Sequence, residues 1–126
     1  MGIAFPRPDQ AIVARRDEII AGLAQILPSD CLVISEDERR AFETDALTAY
    51  RKMPLAVALP QNTDMVSALL AYCHQNGVKV VPRGAGTSLA GGAIAQEDAI
   101  IICLSKMSRV LDVNFPNRTM RVEAGI

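Results

Sequence analysis

The sequence predicts an α+β domain of α/β-like character: a small parallel sheet of about three strands flanked by helices, with a fourth strand near the C-terminus. Three observations lead there. A strand-like run, a helix-like run and a second strand-like run follow one another between residues 55 and 81. A glycine-rich stretch comes straight after them, at 83–92. The chain has 126 residues, half of them hydrophobic, which is one domain's worth of globular protein and excludes a disordered segment. Its core should be aliphatic, since aromatic residues make up 4% and tryptophan is absent.

Each element has its own signature. From Asp9 to Leu27, Ile12, Ile19, Ile20, Leu23, Ile26 and Leu27 recur at three- and four-residue steps, opposite a solvated face of Arg15, Arg16, Asp17 and Glu18. A helix is predicted there, stopped by Pro28. Leu32–Ile34 is apolar but too short to assign. Ser35-Glu-Asp-Glu38 fits a capping box and predicts a short helix over about 36–43. Leu55–Leu59 is a strand limited by Pro54 and Pro60. Asn62 or Thr63 then caps a helix running to about Asn76, with Val66, Leu69, Leu70 and Cys73 as its buried stripe and Gly77 as its left-handed end. Val78–Val81 is the second strand, so the unit reads βαβ, with parallel strands and a right-handed crossover. A third strand is expected at 99–104, then a polar bend at about Asp112–Arg118 and a last strand at Thr119–Glu123.

Several function classes drop out. Thirteen basic against fourteen acidic residues leave a net charge of −1, which argues against general nucleic-acid or anionic-membrane binding. Cys31, Cys73 and Cys103 are too few and too far apart for a disulfide framework or zinc ribbon, and are expected to be reduced and buried in a cytoplasmic protein. The opening MGIAFPRPDQ does not read as a secretory leader, and the longest strongly apolar run, Ala99–Leu104, is far short of a membrane span. His74, the only histidine, flanks a helix stripe with no partner in view. Glu36, Asp37 and Glu38 read as a solvated helix start, not a metal site, and Asp45, Tyr50 and Arg51 as structural.

The segment that carries chemistry is Val81-Pro-Arg-Gly-Ala-Gly-Thr-Ser-Leu-Ala-Gly-Gly92. A loop of this kind after a parallel strand can expose consecutive backbone N–H groups with no Cβ in the way, a concave array suited to phosphate oxygens. Thr87 and Ser88 add hydroxyls and Arg83 a cation. It is not a dinucleotide fingerprint of the GxGxxG type, because Gly84 and Gly86 fit but Leu89 stands third. Nor is it a Walker A loop, since no lysine lies between Lys79 and Lys106. On spacing alone, a phosphate cradle and a purely structural loop both remain open.

The run PRGAGTSLAGG placed after a βαβ unit resembles the pyrophosphate-binding loop of the FAD-linked oxidases of the vanillyl-alcohol oxidase (PCMH) type. Phe42–Arg51, Pro54–Pro60, Ile102–Val113 and Val122–Gly125 resemble the start of the FAD-linked subunit of bacterial glycolate oxidases, with D-lactate dehydrogenases of the same family close behind. The resemblance implies the first subdomain of a PCMH-type FAD-binding domain. Residues 1–52 would be an N-terminal helical segment and 53–126 a partial FAD-binding domain. FAD would be the cofactor, with Arg83, Gly84, Ala85, Gly86, Thr87 and Ser88 wrapping its diphosphate and Gly91 and Gly92 letting the chain pass close behind. It further implies oxidation of a 2-hydroxy acid such as glycolate or D-lactate in the intact enzyme, with other oxidase subunits as partners.

No position here matches the family's catalytic or metal-binding residues, so the chain is expected to be an N-terminal piece, inactive and weak in FAD binding by itself. The alternative is a free-standing nucleotide- or phosphate-binding or assembly module without catalysis.

Overall fold

A computed structural model describes residues 4–126. Helix α1 spans Gln10–Ala14 and α2 Arg16–Ile26. The predicted helix over 9–27 is therefore divided. Arg15, at φ −92° and ψ 13°, leaves the helical geometry and bonds its N–H to the Ile12 carbonyl three residues back. Its guanidinium reaches across to the Asn76 carbonyl and side-chain oxygen at 3.3 and 3.1 Å. Asp9 caps the first segment, its carboxylate accepting from the Ala11 N–H.

The short apolar run is strand β1, Leu32–Val33, followed by α3 at Glu36–Arg39 and a 3₁₀ turn at Arg40–Phe42. Ser35 caps α3 by accepting from the Glu38 N–H, and its hydroxyl donates to the Glu38 carboxylate. Strand β2 is Ala56–Ala58, and α4 is Thr63–Asn76, capped by Asn62 accepting from the Met65 N–H and closed by Gly77 in the left-handed region. Strands β3 (Lys79–Arg83) and β4 (Ala99–Cys103) follow, then β5 (Val110–Asn114) and β6 (Thr119–Val122).

The main sheet has the order β1-β2-β4-β3. Strands β2 and β3 both run parallel to β4, which sits between them, and β1 adds an antiparallel edge. The βαβ strands are parallel, as predicted, but not neighbours. Pro82 lies within β3, which is tolerable because β3 is an edge strand with one side free of ladder bonds. The last strand belongs to a separate antiparallel ribbon with β5, and β5 takes in the start of the segment predicted as a polar bend.

Buried on both faces, β2 and β4 alternate between two apolar clusters. Ala56, Ala58, Ile100 and Ile102 pack with Ile12, Ile19, Leu23, Leu27, Leu69 and Cys73 of the helices. On the other face Val57, Ile101 and Cys103 meet Ala95 and Phe42. Residues from both halves of the chain thus share one core. The predicted stripe of α4 is narrower than its sequence suggests: Leu69 and Cys73 are buried, Val66 is half-buried, and Leu70 is exposed beside a shallow apolar hollow with Val80, Pro82, Ile102 and Leu104. Among the described residues no helix is long and apolar enough to cross a membrane.

Candidate functional site

The parallel strands β2, β4 and β3 end on the same side of the sheet, and the glycine-rich loop leaves from the C-terminal end of β3. Such an edge is where open α/β sheets place ligands, because the loops there are free of ladder bonds. The loop surrounds a hollow of about 290 Å³ lined by Pro82, Arg83, Gly84, Ala85, Gly86, Thr87, Ser88, Gly92 and Ala93.

The N–H groups along the loop fall into two sets. From Gly84 to Leu89 none donates to a protein acceptor among the described residues. Beyond them, the Ala90 N–H reaches the Ser88 hydroxyl at 3.3 Å and the Gly91 N–H reaches the Asp45 carboxylate at 2.9 Å. Free donors beside an anion-sized hollow satisfy the physical requirement for holding phosphate oxygens.

The glycines divide in the same way. Gly86 has φ +72°, and a Cβ there would lie 2.2 Å from the Arg83 guanidinium, so the fold itself demands glycine. Added side chains at Gly84 and Gly92 would meet no protein atom within 4 Å, although both residues line the hollow. Packing of the chain does not require glycine at those two places. A bound FAD diphosphate fits this cradle.

The Arg83 guanidinium turns back under the loop. Its Nη1 donates to the Thr44 and Ala93 carbonyls at 2.9 and 3.3 Å, and it lies 5.5 Å over the Phe42 ring. Its Nε and Nη2 have no acceptor among the described residues, and that edge lies against the Gly86 α-carbon. From behind, the Ala46 N–H bonds to the Gly86 carbonyl at 3.0 Å, and the Cys103 thiol donates to the Gly84 carbonyl. Sequence reasoning missed this brace from residues 42–46. The signal available was Phe42–Arg51 itself, a non-periodic stretch with family-like text.

The remaining candidates stay away from the hollow. His74 is exposed on α4. Cys73 is buried, and desolvation pushes its thiol up to about 11, which keeps it protonated and unreactive near neutrality. Glu36 is occupied by Arg40. Asp98, 1% exposed, receives the Asp9 N–H at 2.8 Å and the Lys79 ammonium at 2.6 Å. Burial raises its pKa, but those two donors outweigh burial and leave the carboxyl below its ordinary value. That pair ties the N-terminal residues to β3 and the start of β4.

The sequence profile described as "FAD binding domain" matches residues 54–126. The chain is 37% identical over 111 residues to the glycolate oxidase subunit GlcD of Escherichia coli (strain K12), covering 88% of this chain and 22% of that protein. It is 32% identical over 110 residues to a D-2-hydroxyglutarate dehydrogenase of Xanthomonas citri pv. viticola, covering 87% of this chain and 23% of that one. The solved structure of 4-ethylphenol oxidase from Gulosibacter chungangensis superposes on 94% of the chain and 23% of that structure with a TM-score of 0.76, at 20% identity, which shows the shared fold. The chain spans about a fifth of the length of the curated relatives it matches. With its sheet, its loop and more than half its residues matching one profile, the chain belongs to the FAD binding domain family.

Proposed function

We propose that the loop after β3 holds the FAD diphosphate, with main-chain N–H groups from Gly84 to Leu89 as the donors. In this reading Arg83, Gly84, Ala85, Gly86, Thr87 and Ser88 wrap the two phosphoryl groups, while Gly91 turns the chain back and Gly92 leaves room beside them. The observation that carries it is the unspent row of N–H donors along a hollow where the packing of the chain does not require glycine at 84 and 92.

The work of this chain is binding and orientation. Main-chain donors set on a braced loop offset the diphosphate's charge without having to reorganise. FAD, when bound, supplies a two-electron acceptor. The relatives named for glycolate oxidase and D-2-hydroxyglutarate dehydrogenase point to a 2-hydroxy acid as the substrate of the whole enzyme, and D-lactate fits the same class. Other oxidase subunits would be partners there. The profile match begins at 54, which supports taking 53–126 as the FAD-binding part and 1–52 as the helical segment that buttresses it. The unpaired, buried Cys31, Cys73 and Cys103 favour the reducing cytoplasm.

The experiment is an amide-resolved NMR titration of the chain with FAD, ADP and adenosine. FAD and ADP should shift the Gly84–Leu89 amides, and adenosine should not. Because the hollow is open to solvent, binding should be weaker than micromolar. No response at the loop, or a response centred instead on the larger hollow between the α4 N-terminus and the β5–β6 ribbon, would remove the reading.

A further inference from the structure

Asp45 is 4% exposed although its neighbours Ala46 and Thr48 are exposed. It has no ion-pair partner among the described residues. Its two carboxylate oxygens instead take two backbone donors from different places. Oδ1 receives the Leu47 N–H at 3.0 Å, closing a local turn, and Oδ2 receives the Gly91 N–H at 2.9 Å, 46 residues away. One residue on, the Ala46 N–H holds the Gly86 carbonyl at 3.0 Å, and one residue back, the Thr44 carbonyl holds Arg83 at 2.9 Å. Three consecutive residues therefore grip the glycine-rich loop at three points, and only Asp45 does so through its side chain.

We infer that Asp45 is a positioning residue of the diphosphate loop: its carboxylate anchors the Gly91 N–H and so sets the curvature that leaves the Gly84–Leu89 donors facing the hollow. This inference rests on the reading of the loop as a diphosphate cradle. Gly91 has φ +74°, a conformation with no steric need for crowding around it, since a Cβ there would meet nothing within 4 Å. Two bonds hold the reversal in place: a turn bond from the Ile94 N–H to the Gly91 carbonyl at 3.3 Å, and the shorter side-chain bond from the Gly91 N–H to Asp45. The side-chain bond spends the Gly91 donor, confining an incoming anion to the earlier half of the loop, away from the carboxylate that would repel it.

The residue type follows from the donor count. A carboxylate accepts at both oxygens, whereas the asparagine amide accepts at one and would turn N–H groups toward a donor at the other. A serine hydroxyl still accepts from the residue two places on but is too short to cross to Gly91.

Asp45→Ser and Asp45→Asn in the full chain test the assignment by two readouts. The first needs no ligand: amide exchange at Gly91 and nitrogen relaxation across residues 84–92. Asp45→Ser should speed Gly91 exchange about tenfold and broaden the loop, and Asp45→Asn, which keeps one acceptor for two donors, should speed exchange at Gly91 or at Leu47, while amides of the β2–β4 ladder keep their protection. The second is the FAD titration, in which the variants should need about tenfold more FAD to shift Gly84–Leu89, with Asp45→Ser retaining the Leu47 bond and the wild-type fold. Wild-type exchange at Gly91 in Asp45→Ser, or an unchanged FAD requirement in that variant alongside a merely lower thermal midpoint, would overturn the inference. If the wild-type loop ignores both FAD and pyrophosphate, the cradle reading fails, and Gly91 exchange alone then decides whether Asp45 sets the loop's shape.

Discussion

Two glycines two residues apart do different work, and substitution separates them. Gly86 is demanded by its positive φ and by the Arg83 guanidinium lying over its α-carbon. Gly86→Ala should cost about 1–3 kcal/mol and loosen the loop, read by urea denaturation and by broadening of the 84–92 amides. Gly84 has open space where a side chain would go. Gly84→Ala should leave stability within about 0.5 kcal/mol, yet raise the FAD concentration needed to shift the loop, because the methyl takes part of the hollow. Equal losses of stability in both variants would mean the glycines serve only the turn. The glycine-rich loop after β3 was legible in the sequence because glycine spacing is local. The brace was not: Asp45 lies in a stretch with no period, and nothing local distinguishes a buried aspartate from a solvated one. Its partner Gly91 is 46 residues away, a contact that only the packing of the 42–46 segment against the sheet reveals.

At the scale of elements, the helices succeeded where local signals were redundant and the sheet failed where pairing is non-local. Helix α4 has a cap, a stripe and a glycine end, and its bounds follow. Nothing in a strand run says which strand it lies beside, so the insertion of β4 between β2 and β3 could not be read. The same holds for β5, whose Asp112 and Asn114 look like turn residues but face solvent across from Arg121 and Thr119. Helix contacts carry a further consequence. Gly22 of α2 lies against the Tyr72 ring of α4, and a Cβ would sit 2.1 Å from the phenol oxygen, which itself donates to the Ile19 carbonyl at 3.3 Å. Alanine is the better helix former by about 1 kcal/mol. Gly22→Ala should nonetheless destabilise, by about 1–3 kcal/mol, because the ring must be displaced from the α2–α4 seam. The denaturation midpoint checks this, and a rise in stability would show that the ring moves freely. The ties between elements also set the acid response. Asp98 has a folded-state pKa below its unfolded value, so protons bind the unfolded chain more readily as the pH falls. Its contribution is whole above the ordinary carboxylate pKa, near about 4, and is lost as pH drops through the lower folded value. Asp98→Asn should flatten the pH dependence of stability in that window, measured by urea midpoints at successive pH values.

For the whole molecule, the uneven distribution of apolar surface decides how the chain behaves in solution. The central strands of the main sheet are buried, but the β5–β6 ribbon leaves most of its apolar residues exposed. Val113 pairs with Met120, Val110 with Val122, and the irregular register between Val110 and Asp112 keeps these on one face, with Asp112, Arg121, Asn114 and Thr119 on the other. Met120 is 58% exposed and Phe115, at the turn, 83%. A lone two-stranded ribbon is marginal in water, and here the Arg109–Glu123 pair, at 2.7 Å, and the bond from the Glu123 N–H to the Arg109 carbonyl close its base strand to strand. Contiguous apolar surface of this kind promotes association. Light scattering should therefore show a mass that rises with concentration. The double substitution Phe115→Ser, Met120→Thr should suppress that rise without moving the denaturation midpoint by more than about 0.5 kcal/mol, since neither side chain touches the core. The loop at the far end of β3 does not depend on this ribbon for its brace, so the doubly substituted chain should keep the wild-type response of Gly84–Leu89 to FAD. A monomer at all concentrations would mean that the ribbon folds its apolar face against the body in solution. A loss of the FAD response along with association would mean that the cradle is completed between copies of the chain, not within one.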